Sequence, residues 1–267
     1  MRPRALALAI LFVLAGTGVN AADLPAATVA GPAQPWPRTW DWGGFYGGIH
    51  AGFSFGTAHN GWNIPAVGVV GTDSETLNGP LGGIQAGWNW HFFGWFVPGI
   101  EADIDFASQT GKATFNSAFT TTFVNGTVSI PHSETLNWFG TIRGRLGAAV
   151  GPVLVYGTGG VAFAQSREHI SGTAFNSGDS STAAFVNPAT PGNAMAGWTV
   201  GGGGEVALGL HCSVRAEYLY ADLGTRSAHF ATLAAFTPGF ASGRATMVIH
   251  RTDNIVRLGL NFKFPPF

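Results

Sequence analysis

Between Ile255 and Phe264 apolar and polar residues divide by parity. Val256, Leu258, Leu260, Phe262 and Phe264 fall on one side, and Arg257, Asn261 and Lys263 on the other, because successive side chains of a strand point oppositely. Related patterns occur seven more times upstream. They predict strands at 44–56, 81–92, 96–106, 136–149, 153–165, 197–208, 213–220 and 254–264. The intervening segments alternate in length: 93–95, 150–152 and 209–212 are tight turns, whereas 57–80, 107–135, 166–196 and 221–253 are long. Strands that alternate over about ten residues, joined by short turns at one end and long loops at the other, are what a transmembrane barrel requires. The expected fold is all-β, an eight-stranded antiparallel up-and-down transmembrane β-barrel with both termini in the periplasm.

Aromatic residues gather at the ends of the apolar faces. Phe53, Phe55, Phe106, Trp138, Phe163, Trp198, Tyr218 and Tyr220 mark one end; Phe45, Trp90, Phe92, Phe96, Phe262 and Phe264 mark the other. Aliphatic residues such as Ile49, Ile84, Ile100, Ile142, Leu146 and Val200 lie between them. Two girdles around an aliphatic band suit amphipathic rings at two lipid-water boundaries. A soluble sandwich gives no reason for aromatics to collect at strand ends. The opposite faces carry Glu101, Asp103, Asp105, Arg143, Arg145, Glu205, Arg215, Glu217, Arg257 and Lys263, with His50, Gln85 and Thr141. Unpaired buried charge is very costly, so the acids of strand three should face Arg143 and Arg145 of strand four. Eight strands enclose only enough space for side chains, which predicts a polar plug. Interior glycines, among them Gly87, Gly201 and Gly203, keep a narrow wet lumen open as an alternative.

Composition narrows the class further. Only 10% of the 267 residues are charged, 40 are glycine, and the formal net charge is -1, which disfavours a basic nucleic-acid surface and the solvated helices of ordinary enzymes. Met1 to Ala21 has Arg2 and Arg4, an apolar run and small residues near its end, the pattern of a secretory signal. Residues 22–43 form a proline-rich periplasmic leader and 44–267 the barrel. Past the signal no run of about 18 apolar residues exists for a transmembrane helix. Cys212 is the single cysteine, so no intramolecular disulfide forms.

Trp42-Gly43-Gly44-Phe45-Tyr46-Gly47-Gly48, Gln85-Ala86-Gly87-Trp88-Asn89-Trp90, Glu101-Ala102-Asp103, Asn137-Trp138-Phe139-Gly140-Thr141-Ile142-Arg143, Ala216-Glu217-Tyr218-Leu219-Tyr220 and the closing Arg257 to Phe264 resemble the alphaproteobacterial small outer-membrane surface-protein family. These porin-like proteins belong to the outer-membrane protein A-like barrels. The resemblance runs from Asp41 to Phe264 and is specific to the barrel, not to an activity. It implies outer-membrane lipid and the barrel-assembly machinery as partners, a surface-antigen or envelope role, and in some relatives haem binding or weak pore formation. Relatives end on an aromatic residue; here Pro265, Pro266 and Phe267 follow Phe264, so either Phe267 supplies that group or recognition tolerates the extension.

Motifs for other chemistry fail on context. Gly157 to Ala162 fits a dinucleotide fingerprint by letter but continues as a strand, where no helix N-terminus meets a phosphate. Gly201 to Gly204 leads into Glu205, not the Lys-Ser/Thr of a phosphate loop. His59, His132, His169, His229 and His250 fall in segments read as outer loops and are candidate haem-iron ligands, though none has a paired spacing. Asn125-Gly126, between Thr121-Phe123 and Val128-Ile130, signals a hairpin turn that extends strands three and four above the membrane; Thr246 to Arg251 extends strand eight likewise, and Pro98 marks a bulge or an irregular strand start. The leading expectation is a non-enzymatic structural barrel and surface antigen. Its rivals are a low-conductance pore, haem capture by the loops, and a lipid-modifying enzyme, for which no nucleophile-base pair is evident.

Overall fold

The structure is a computed structural model that describes residues 40–121, 125–178, 180, 182–209, 211–232 and 243–264. The signal segment, residues 22–39 of the leader, and Phe267 lie outside them. Eight antiparallel strands follow one another around a closed barrel: β1 (Gly44–Ile64), β2 (Val69–Asn89), β3 (Phe96–Thr120), β4 (Asn125–Val150), β5 (Val153–Asn176), β6 (Thr182–Ala207), β7 (Cys212–Thr232) and β8 (Gly243–Lys263). β8 closes on β1 through register pairs running from Tyr46–Lys263 to Asn63–Thr246. Closure leaves no sheet edge, which lets a sheet stand in hydrocarbon.

The lower half is inside out by the standards of a soluble protein. Ile49, Leu146 and Leu258 are 56%, 64% and 63% exposed on the outer surface, while Arg143, Arg215 and Arg257 are each 1% exposed within the lumen. The outward aromatics bracket this aliphatic band. Phe45, Trp90, Phe92, Phe262 and Phe264 are exposed at the end that carries both termini, and Phe106, Phe163, Trp198 and Tyr218 at the other. Phe96, Trp138 and Tyr220 are half-buried in the same girdles. Phe93 and Trp95, in the turn between β2 and β3, add to the lower one. That turn is tight because Phe93 and Gly94 both take positive φ, 54° and 74°.

All eight expected strands are present, strands three, four and eight extend above the girdle as their sequence suggests, and among the described residues the rest of the four long segments is also mainly strand. Strands of 21 to 26 residues extend roughly 70 to 85 Å, whereas about ten residues cross a membrane. Segment 57–80 is the upper half of β1, a single 3₁₀ turn at Pro65–Val67, and the start of β2. The other three long segments likewise run mainly as strand among the described residues. The reason is a reversed pattern. Above the upper girdle the outward row turns polar (Thr57, His59, Asn63 on β1), and the inward row gains Ala58, Trp62, Ile64, Leu77, Phe115, Ile130 and Met247, which pack together as an apolar cluster. Asn125 and Gly126 are not the turn either. They pair with Thr120 and Phe119, in the register that sets Phe115 opposite Ile130. Pro98 makes no bulge: it stays opposite Leu146, and its carbonyl accepts from the Trp90 N–H at 2.8 Å. Register shifts instead follow Phe106, Leu136, Ser166, Glu168 and Asp222, at or above the upper girdle.

The last residues before β1 cover the lower mouth. Trp42 is buried with Val97, Ala149, Leu154, Tyr156 and Ala207, and its indole N–H donates to the Gly151 carbonyl at 3.3 Å. The leader is therefore part of the barrel from Trp42 onward.

Leu258→Arg, placed in the middle of the aliphatic band, is expected to lower stability by about 2 to 4 kcal/mol in denaturant unfolding from lipid vesicles. An unchanged midpoint would show that Leu258 does not face hydrocarbon.

Candidate functional site

The lumen holds the chemistry, arranged in two ionic tiers separated by apolar side chains. In the lower tier alternation turns one residue in two inward on β1 to β8, and closure brings those residues together. Arg215 Nη1 donates to Glu101 Oε2 at 2.5 Å, its Nη2 to Oε1 at 3.1 Å, and Nη2 also to Glu217 at 2.8 Å. Arg143 donates to Glu101, and to Asp103 at 2.8 Å. Arg257 joins Glu217, Asp103 and Asp105 at 2.7, 3.0 and 3.2 Å. Arg145 meets Glu205 at 2.6 Å and lies 3.6 Å from the centroid of the Tyr156 ring. These are desolvated, multiply bonded ion pairs, the arrangement in which buried charge is tolerated.

Neutral groups complete the tier. Tyr46 donates its hydroxyl to Glu101 at 2.6 Å and Tyr156 to Glu217 at 3.0 Å. His50 bridges Gln85 and Asp105, and Asn261 Nδ2 donates to Glu205 at 2.8 Å. The space beside two of the lumen glycines is filled. A Cβ on Gly87 would sit 2.4 Å from the Tyr46 hydroxyl and one on Gly203 2.7 Å from that of Tyr156, so the two tyrosines occupy that space.

Nine of the ten residues expected in the interior network meet in this tier: Glu101, Asp103, Asp105, Arg143, Arg145, Glu205, Arg215, Glu217 and Arg257. Lys263 does not. Its strand ends at the mouth, and its ammonium reaches Asp41 at 3.1 Å and the Asp41 carbonyl at 2.5 Å.

The upper tier lies in segments whose composition reads as loop. Arg251 donates to Gln109 at 2.6 Å, to Glu134 at 3.1 Å and to Asp253 at 3.2 Å; Arg226 pairs with Glu168. Gly111 is the register partner of Glu134, which is in turn the partner of Glu168. Glu75 comes from β2 and rests against Gly111, where a Cβ would lie 3.0 Å from its Oε2. That oxygen is buried with no hydrogen-bond partner. Glu75 stands opposite Ala58, beyond Phe55 and the girdle. Burial, then Glu134 and Asp73, push its carboxyl up to about 8 against the pull of Arg251. The sequence signal was present: Asp73, Glu75 and Leu77, or Arg251, Asp253 and Ile255, share one parity. It was masked by Thr, Ser, Gly and Asn between them.

The histidines separate by face. His132 points inward, donating from Nδ1 to the Ile130 carbonyl at 3.2 Å, with Nε2 3.1 Å from Asn60 Nδ2. His59, His169, His229 and His250 point outward. His59 and His250 are register partners of β1 and β8 and line one groove, a pairing that sequence spacing does not reveal. Among the described residues no group of three or more His, Cys, Asp or Glu side chains could hold a metal ion.

An ion-paired interior inside an apolar outer band fits a barrel that stands in a bacterial outer membrane, and residues 21–264 match the outer membrane protein beta-barrel domain. The chain belongs to that family. It is 32% identical to the 31 kDa outer-membrane immunogenic protein of Brucella melitensis, over 96% of this chain and 98% of that one. It is 26% identical to the 22 kDa outer membrane protein of Rhizobium leguminosarum bv. viciae, over 74% and 72%. Among solved structures it is similar to OprG of Pseudomonas aeruginosa, at 13% identity, 85% and 100% coverage and a TM-score of 0.47. As a member of the outer membrane beta-barrel family the protein resides in the bacterial outer membrane, and its aliphatic band faces lipid.

Two outcomes follow for the tiers. Arg215→Met leaves the buried Glu101 and Glu217 short of a partner, and should cost on the order of 3 to 5 kcal/mol in urea unfolding. A loss below about 1 kcal/mol, the scale of an exposed pair, would contradict the pairing. For Glu75, the folded chain holds its proton up to about pH 8, whereas the unfolded chain releases it near the ordinary glutamate value of 4.5. Its contribution to stability is present in full below the lower value and declines as pH rises toward the higher one. Glu75→Gln should flatten the fall in unfolding midpoint between pH 5 and pH 9; an unaltered slope would show that Glu75 is ionised in the fold.

Proposed function

We propose that this outer-membrane barrel is a structural protein and surface antigen without enzymatic activity, its interior plugged and both termini in the periplasm. The four hairpins at the far end are its extracellular display. The observation that carries this reading is the stacking of side chains through the lumen: the Trp42 cluster, the Glu101–Arg215 tier, an apolar layer around Leu136, Phe139, Leu219 and Ile255, the Glu134–Arg251 tier, and the Trp62 cluster. An ion crossing it would have to part several buried ion pairs and three apolar layers. The immunogenic Brucella relative supports the antigen role. The direction of the chain rests on the short turns lying at the end that carries both termini.

Planar bilayers test the plug. Refolded protein should give no unitary conductance; reproducible channels whose size changes in Arg143→Ala would favour a small-solute pore. Labelling of intact cells by an impermeant maleimide tests the direction. Gly68→Cys, in the 3₁₀ hairpin, should react and native Cys212 should not; the reverse pattern would invert the barrel.

The facing pair His59 and His250 favours haem capture as a second reading, because one groove presents both imidazoles. A Soret shift on adding haem that disappears in His59→Ala/His250→Ala would support it. A shift that survives both changes would remove these residues from the assignment.

A further inference from the structure

Six of the nine lysine and arginine side chains that the structure describes point into the lumen. Arg143, Arg145, Arg215, Arg251 and Arg257 are buried in the lumen, and Arg226 pairs there with Glu168. Among described side chains the cations exposed above the upper girdle are Lys112 on β3 and Arg167 on β5. They lie in one sector. Lys112 is the register partner of Ser133, and Ser133 of His169, so that these three form a row across β3, β4 and β5. Arg167 is opposite Thr135, which is opposite Thr110, giving a second row one step nearer the membrane. Thr114 and Ser171 stand on the far side, and Lys112, Thr114, Ser133, His169 and Ser171 line a groove of about 330 Å³. The carboxylates of this stretch, Glu134 and Glu168, are turned inward.

A face with two cations, an imidazole, hydroxyls and no outward acid attracts phosphate. Its height narrows the source. Arg167 and His169 are four and six residues beyond the girdle aromatic Phe163, roughly 13 to 20 Å along the strand, or about 10 to 15 Å along the normal for a strand tilted by 35–45°. An ordinary phospholipid headgroup layer is only about 5 to 8 Å deep. A sugar headgroup bearing phosphates reaches further.

We propose that the Lys112–Ser133–His169–Arg167 face binds the phosphorylated sugar headgroup of an outer-leaflet glycolipid. The assignment rests on the direction of the barrel proposed above. Two lysine or arginine contacts with a charged lipid surface correspond to a change in affinity on the order of thirtyfold.

The test uses the mature chain refolded in neutral detergent, with rough lipopolysaccharide carrying a phosphorylated core as the probe and the same glycolipid after dephosphorylation as its control. Binding should be strong for the first, weak for the second, and should fall as salt is raised. Lys112→Gln/Arg167→Gln should lose on the order of thirtyfold in affinity while retaining the heat-modifiable gel shift of a folded barrel. Lys263→Gln, which removes a cation from the other end, should bind as the parent does. Inorganic phosphate at equal phosphate concentration should not compete. Equal binding of the dephosphorylated glycolipid, an unaffected double variant, insensitivity to salt, or displacement by inorganic phosphate would each overturn the proposal. Should the double variant not fold, the salt and dephosphorylation arms on the parent still decide. Maleimide labelling of Cys212 on intact cells would refute the direction of the barrel without altering binding in detergent, so the two failures are separable.

Discussion

The medium outside the sheet changes from hydrocarbon to water part-way along each strand, and the placement of every side chain follows from that change. Below the upper girdle the outer surface must be apolar, so the polar residues of each strand have only the lumen, and there they must satisfy one another. Above it the outer surface is wetted. Threonine, serine, asparagine and histidine move outward, and tryptophan, isoleucine and phenylalanine move in. One continuous sheet thus carries two opposite hydrophobic patterns. The register shifts at Phe106, Leu136, Ser166 and Asp222 sit where the patterns meet. A bulge increases twist and re-aims side chains, which is what the change of pattern requires.

This explains which parts were legible in the amino-acid order. Where hydrocarbon is the outside medium, the signal is strong. Leu258, Leu260 and Phe262 alternate with Arg257 and Asn261, and the charged residues so identified nearly all converge: nine meet in the lower tier, and only Lys263, at the mouth, finds an exterior partner in Asp41. Above the girdle the outward row is made of the same Thr, Ser, Gly and Asn that build loops. The inward row therefore stands alone, and alternation such as Asp73, Glu75, Leu77 is easily mistaken for chance. The distinction is physical. A lipid-facing residue must be apolar, whereas a water-facing strand residue is under no such constraint.

Pairings across distant strands were also out of reach. His59 and His250 are 191 positions apart by subtraction of their numbers and become neighbours only because β8 closes on β1. Tyr46 and Tyr156 flank aromatic and apolar girdle residues, yet both point inward and supply hydroxyls to Glu101 and Glu217. The glycines opposite them, Gly87 and Gly203, suggested empty space when read singly. In the fold each is the vacancy that a tyrosine ring fills.

The two tiers answer the same need with different success. In the lower one each carboxylate meets a guanidinium or, at Asp105, an imidazole as well, so the tier is a set of mutual bonds holding eight strands at fixed separation. The upper one contains Asp73, Glu75, Glu134, Glu168 and Asp253 against Arg226, Arg251 and the His132 imidazole 3.7 Å from Asp73, an excess of acid that leaves Glu75 holding its proton near neutrality. A tier in which each carboxylate has a cationic partner suits the membrane band, where unpaired buried charge is very costly. The acid-rich tier lies above it, in the part of the barrel whose outer surface is wetted. The acid excess of the upper tier thus goes with its height, and the same height frees Lys112 and Arg167 to face outward.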